Sequence, residues 1–304
     1  MSMNSKVTVF LRGGLGNQMF QCAVGLNLAK KNNAQLLLDT TFLNDRFPRS
    51  QFTYRSYDLD IFRIEPHFTT LSKISSTIPI PGVWLGLDLA LIKMRDILGI
   101  QRIIKEKKEY RFDPQVFSAK GNIVLYGRWQ SEKYFADITR DIRNTFCFKE
   151  KLSGDAAAFA KQIQNSNSVS LYVRRGDYVK FEKMKKIMGD TDLSYYVRAV
   201  SYIAERVPAP HFFILSDDIA WCRENIKIPF PAMYLDEKIA GSKYAFYLEL
   251  MSLCKHNIIA NGTFSWWGAW LNENPGKIII APKKWHAGEN FEMTDIIPQA
   301  WIRM

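Results

Sequence analysis

Three short apolar runs in the second half of this chain, residues 168–173, 211–216 and 256–260, each lead into polar residues and then a helical pattern. Runs of four to eight β-branched and apolar residues bounded by turn signals read as covered strands. Strands alternating with helices point to βαβ units and a parallel sheet. Ligands of such sheets bind in the crevice beyond the carboxyl ends of the strands. What stands at those ends therefore bounds what the chain can hold. After the first run come Arg174, Arg175, Gly176 and Asp177. The second ends in Ser216 and is followed by Asp217 and Asp218. Past the third lie Asn261, Gly262, Thr263, Phe264 and Ser265.

Two adjacent guanidiniums present fixed forks of donors that match phosphate oxygens in a bidentate way. Gly176 permits a sharp bend, and Asp177 is a carboxylate within reach of whatever the arginines hold. Taken alone, Arg-Arg-Gly-Asp is more often a surface ion pair of little energetic consequence. The third tip changes that balance, because hydroxyls and amides at a helix start converge on an anion. Thr263 and Ser265 are expected as diphosphate contacts opposite Arg174. Asp217 and Asp218 have two readings: they cap the next helix, or they accept hydrogen bonds from a ribose or base. Trp266, Trp267 and Trp270 fall at helical spacing and read as core.

The first half opens with a strand over residues 6–11, a glycine turn over 13–16 and a helix over about 18–32. A glycine turn between strand and helix lets backbone amides approach an anionic group. It is not the dinucleotide fingerprint, since Met19 stands where the third glycine belongs. Residues 34–39 form a second strand, and 121–130 another. Residues 84–98 read as a helix with apolar positions Leu85, Leu89 and Ile92, either a core or lid helix or a contact with a membrane or lipid-linked acceptor. Two Asp-x-Asp pairs, 58–60 and 190–192, could in principle hold a divalent cation. The first reads as an ordinary strand edge, and no metal site is expected.

Four widely spaced cysteines and 304 residues suit a two-domain protein of a reducing compartment rather than a disulfide scaffold. The N-terminal residues lack the apolar core of a signal peptide, and no run is long enough to span a bilayer. A cytoplasmic protein is expected. The net charge of +11 calls for anionic partners. Its basic clusters lack the interleaved aromatics of a nucleic-acid reader, so no nucleic acid is expected.

The segment Tyr172-Val173-Arg174-Arg175-Gly176-Asp177-Tyr178 resembles the first signature of the bacterial α1,2-fucosyltransferases. Three further stretches are similar to that family in the family's order: 13–21 (GGLGNQMFQ), 213–218 (FILSDD) and 254–271 (CKHNIIANGTFSWWGAWL). Residues 127–135 (GRWQSEKYF) also resemble a family segment. The resemblance spans nearly the whole chain. It implies an α/β, GT-B-like fold of two Rossmann-like domains facing a cleft. Residues 1–150 would be the acceptor-side domain and 151–304 the donor-binding one. The implied activity is inverting, metal-independent transfer of L-fucose from GDP-fucose to a galactoside hydroxyl, with α1,2 linkage, in surface polysaccharide or O-antigen synthesis. No cofactor is implied beyond the nucleotide-sugar co-substrate. The acceptor would be a glycan or lipid-linked oligosaccharide, with peripheral contact at an anionic inner membrane. By the resemblance, Asn17 with Gly14 and Gly16 faces the donor diphosphate and the acceptor. Arg174 stabilises the leaving diphosphate with Arg175 in support, and Asp177 is the candidate base or orients the arginines. The remaining donor contacts are Ser216, Asp217, Asp218, Asn261, Thr263, Phe264 and Ser265.

Two positions depart from the family. Tyr172 stands where the family usually has histidine, and Tyr247 where it usually has aspartate. In related core fucosyltransferases these positions contact guanine. An aspartate accepts from both guanine N–H groups, which a tyrosine cannot reproduce. Their loss together is what a changed base would look like, unless backbone groups and residues 216–218 suffice. A different nucleotide-sugar donor is one alternative, and a non-catalytic sugar-nucleotide-binding protein another.

Overall fold

The structure is a computed structural model describing residues 5–188, 192–286 and 295–304. The chain divides into two compact units, Met1–Cys147 with Glu292–Pro298, and Phe148–Phe291 with Gln299–Met304.

The first unit contains β1 (Lys6–Phe10), α1 (Leu15–Asn32), β2 (Gln35–Asp39), α2 (Thr41–Asn44), α3 (Thr70–Thr77), α4 (Val83–Ile97), β3 (Arg102–Lys105), β4 (Ile123–Tyr126) and α5 (Thr139–Thr145). Its four strands form one sheet in the order β2-β1-β4-β3, all parallel. Residues 59–61 form a 3-10 turn rather than the strand edge expected from their alternation. Gln18 Oε1 accepts from the Asp58 amide, which ties that turn to α1. The helix expected at 84–98 is present as α4, with Leu85 and Ile92 half-buried but Leu89 turned to solvent. Asp88 is the buried residue of this helix. It meets Asp39, from the end of β2, around the Thr41 hydroxyl, whose Oγ1 lies 2.6 Å from Asp39 Oδ1 and 3.0 Å from Asp88 Oδ2. One O–H cannot donate to two carboxylates at once, so the cluster needs a further proton.

The second unit contains α6 (Gly154–Gln164), β5 (Asn167–Val173), α7 (Gly176–Lys180), α8 (Glu182–Met188), α9 (Leu193–Ala204), β6 (Pro210–Ser216), α10 (Ile219–Asn225), β7 (Ala232–Tyr234), α11 (Ala245–Leu253), β8 (His256–Ile258), α12 (Thr263–Leu271), β9 (Ile279–Ala281) and β10 (Ile302–Arg303). The sheet runs β10-β9-β8-β5-β6-β7 and every pairing is parallel. A parallel sheet is covered on both faces, and the period of two along a strand decides which residue meets which cover. Val169, Leu171 and Val173 pack with Tyr195, Ala199 and Ile203 of α9. Tyr172, Phe213 and Leu215 pack on the other face with Ala156 and Ile163 of α6 and Leu250 of α11. A buried amide pair locks β8 to its neighbours. Asn257 Nδ2 donates to Ser170 Oγ (2.7 Å) and to the Met251 carbonyl (2.8 Å). Asn272, at the C-cap of α12, donates to Asn257 Oδ1 (2.7 Å) and the Cys254 carbonyl (2.8 Å).

Candidate active site

The tips of β5 and β6 lie side by side, since Val173 pairs with Ser216. That register sets two arginines against two carboxylates. Arg174 Nη1 stands 2.7 Å from Asp217 Oδ2, a charge contact outside hydrogen-bond alignment. The Arg175 amide donates to Asp217 Oδ1 at 2.8 Å, and Arg175 Nε to Asp218 Oδ2 at 3.1 Å. The Arg175 guanidinium also lies over the Trp221 ring, 3.9 Å from its centroid. Asp218 Oδ1 accepts from the Trp221 amide at the start of α10, and the Asp218 amide donates to Ser216 Oγ. Of the two readings for these aspartates, the geometry displays the cap for Asp218. Both carboxylates face the arginines in this arrangement, Asp217 more deeply buried than Asp218. The Arg174 side chain nevertheless keeps 22% exposure.

The third tip joins the first through Tyr178, whose hydroxyl donates to the Asn261 carbonyl at 3.0 Å while its ring lies 5.4 Å from the Arg174 guanidinium carbon. This tyrosine belongs to the arginine motif, and its role was not read from the sequence. Asn261 is buried and donates to the Trp285 carbonyl (3.1 Å), so its side chain braces the loop before α12. Ser265 is also turned inward. Its buried Oγ turns back to the Ala260 and Gly262 carbonyls at 3.2 and 3.1 Å, because a serine early in a helix can satisfy the preceding loop instead of a ligand. Thr263 is half-buried and opens α12 after Gly262, which supplies no side-chain cap. The first amides of a helix lack intrahelical partners, so this end retains donors for an anion.

Aromatic rings wall the site. Tyr172 is buried with its ring 5.4 Å from Phe264, and its hydroxyl is hydrogen-bonded to Arg174. Burial pushes that phenol far above its ordinary range. Tyr244 faces Phe264 at 6.4 Å and is pushed up to about 12, first by burial and then by its hydrogen bond to Glu237. Tyr247 is fully enclosed and its hydroxyl donates to the Leu235 carbonyl at 2.7 Å. It is part of the core that packs against α6. Asp177 lies in α7, and its side chain is outside the described residues, as are Asp190 and Thr191 of the second Asp-x-Asp pair.

The glycine turn of the first unit is built from amide clamps. Gly13 adopts φ +81°, and a Cβ there would stand 2.3 Å from Asn17 Nδ2. Asn17 Oδ1 accepts from Gln130 Nε2 at 2.6 Å, which ties the turn to the 127–135 segment. Gln18 donates to the Gly13 and Ser56 carbonyls, and Gln21 to that of Gly127. Gly14 is the N-cap of α1 and has Arg55 Nε 3.8 Å from where a Cβ would sit; Gly16 is buried within the first turn. Gln130 and Arg55 are additions that the sequence reading did not make. Gln130 lay inside a quoted segment, whereas nothing in the local pattern marks Arg55.

A parallel α/β unit with an arginine pair, aromatic walls and an open helix start at its strand tips is a unit suited to a phosphate-bearing ligand. A model of Glycosyl transferase family 11 matches residues 6–304, and the chain belongs to that family of glycosyltransferases. It is 32% identical over 301 residues to an alpha-1,2-colitosyltransferase of Escherichia coli, covering 99% of each chain. It is 34% identical over 304 residues to the O-antigen biosynthesis glycosyltransferase WbnK of Escherichia coli, covering 97% of this chain and 99% of that one. The fold is similar to that of NodZ alpha-1,6-fucosyltransferase soaked with GDP-fucose, with a TM-score of 0.51, 14% identity, and coverage of 91% of this chain and 95% of that one.

Proposed function

We propose that this glycosyltransferase moves L-fucose from GDP-fucose to a galactoside hydroxyl, forming an α1,2 linkage with inversion, in the assembly of a surface polysaccharide such as O-antigen. The carrying observation is Arg174, partly exposed at the β5 tip and joined through Tyr178 to the loop before α12. The acceptor oxygen attacks the anomeric carbon while the bond to the β-phosphate oxygen breaks, and negative charge gathers on the departing diphosphate. Arg174 supplies preorganised positive charge there, and the amides at Thr263 and Phe264 add donors. Asp217 holds the guanidinium in the free protein and yields it to the phosphate. We keep the transfer metal-independent because the guanidinium and the helix start supply the charge that a cation would otherwise bring. Asp177 is assigned the proton of the acceptor hydroxyl. We assign the donor to the second unit and acceptor-side contacts around Asn17 to the first.

A second reading keeps the chemistry and changes the donor. A colitosyltransferase stands among the relatives, and Tyr172 and Tyr247 replace the family's usual histidine and aspartate at positions that contact guanine in related core fucosyltransferases. The deciding experiment incubates the chain with a galactoside and GDP-fucose, measuring GDP release and the linkage by NMR. A thermal-shift series with GDP, UDP, dTDP and CDP runs alongside. GDP release with an α1,2-fucosylated product supports the first reading. Stabilisation by a pyrimidine nucleotide, without turnover of GDP-fucose, rejects it. Asp177→Asn with near-normal turnover removes the base assignment alone.

A further inference from the structure

The helix α4 carries apolar residues on both of its sides, but only one side is covered. Trp84, Leu85, Asp88, Leu91 and Ile92 are the half-buried or buried positions of the helix. The opposite side carries Val83, Leu87, Ala90, Met94 and Ile97, every one exposed and spaced four, three, four and three residues apart. Ile78 and Ile80 before the helix and Leu98 and Ile100 after it extend the strip, with Ile97 at 74% and Leu98 at 63% exposure. Nine of the fourteen large exposed apolar residues among those described fall in residues 78–100, so this is a concentration rather than ordinary scatter.

Charge decides what covers it. The acids of this stretch are Asp88, which is buried, and Asp96, which accepts from the Ile103 amide at 2.9 Å. The exposed cations of this stretch and its flanks are Lys73, Lys93, Arg95 and Arg102. We propose that the outer side of α4 docks on an anionic phospholipid surface, with the apolar strip at acyl-chain level and these cations among the headgroups. A second copy of the chain would bring the same cations and the same net charge of +11 to the contact, whereas an anionic bilayer brings the opposite sign. Fifteen residues make a helix about 22 Å long, too short to span the hydrocarbon layer, so the geometry is that of a helix lying in the interface. The inference is independent of which sugar is moved.

Cosedimentation of the full chain with vesicles tests it without donor or acceptor. Binding is expected to phosphatidylglycerol–phosphatidylethanolamine vesicles, with far less to phosphatidylcholine and a loss in high salt. Leu87→Asp/Met94→Asp/Ile97→Asp, at exposed positions, is expected to lower partitioning by at least about tenfold with an unchanged Tm. Lys73→Glu/Lys93→Glu, which leaves the strip intact, is expected to lose the preference for phosphatidylglycerol. Absence of wild-type binding, or equal binding by the triple variant, overturns the proposal. So does a dimer in sedimentation velocity that the triple variant abolishes, since the strip would then belong to a second copy.

Discussion

A Cβ on Gly176 would stand 2.4 Å from Asp217 Oδ2. The glycine leaves the space in which that carboxylate reaches both arginines, so the turn after β5 and the charge at its tip are one construction. Gly176→Ala is expected to displace Asp217 and misplace Arg174. A fall in kcat/KM of roughly tenfold or more follows, with Tm lowered only slightly, because misplacement by about an ångström costs orders of magnitude in rate. Steady-state kinetics beside a thermal melt checks both halves of this expectation.

Arg174→Ala removes the charge assigned to the leaving diphosphate. Turnover is expected to fall on the order of a hundredfold or more. Arg174→Lys keeps the charge and loses the fork, and recovers only part of the rate. The readout is kcat at saturating donor, with Tm as the control for folding.

The Asp39–Asp88 cluster makes the first unit sensitive to pH. Burial, followed by the charge of Asp39, pushes Asp88 up to about 7, while Arg95 on the same helix pulls the other way. Ser72 on α3 also faces Asp39, donating to its Oδ1 at 3.2 Å. Between the ordinary aspartate range near 4 and pH 7, the folded chain holds a proton that the unfolded chain has released. Stability from this group therefore declines as pH rises through that window and levels off above it. Asp88→Asn supplies a permanent donor. Its Tm is expected to change less than that of the wild type between pH 5.5 and 8, and to exceed it at pH 8. Parallel slopes would remove the assignment.

Asn272 is fully buried and satisfies a carbonyl and a side-chain amide together. Asn272→Ala strands Asn257 Oδ1 and the Asn274 amide that Asn272 Oδ1 accepts from, while the Cys254 carbonyl keeps Asn274 Nδ2; a loss of about 2–4 kcal/mol is expected from the groups left unpaired. Denaturant unfolding followed by tryptophan fluorescence reports it, because Trp266, Trp267 and Trp270 sit on the helix that Asn272 closes.

The strand tips were legible because run length and branching at Cβ mark a covered strand, and a parallel sheet places its ligand groups at one end. The pairing of Val173 with Ser216 is a register that run length alone does not fix, and it came from the structure. What the residues at the tips do was less legible. A carboxylate after a strand is chemically the same whether it reads a ribose or steadies a guanidinium, and the contacts of Asp217 with Arg174 and Arg175 leave no mark in local pattern. Ser265 and Asn261 sit where a ligand contact would sit, yet one turns back on its own loop and the other braces Trp285. Tyr247 falls on the inward side of α11, which its place in a motif did not reveal. Local pattern also misread residues 58–60, whose alternation over so short a stretch suits a 3-10 turn as well as a strand.

Residues 295–304 complete both units. Asp295 accepts from the Phe112 amide and bonds Lys133 in the first unit, while Ile302 and Arg303 add the edge strand beside β9 in the second. One short segment therefore carries pairing for both units, and any change that loosens it, a cleavage before Asp295 for instance, strips hydrogen bonds from two folds at once.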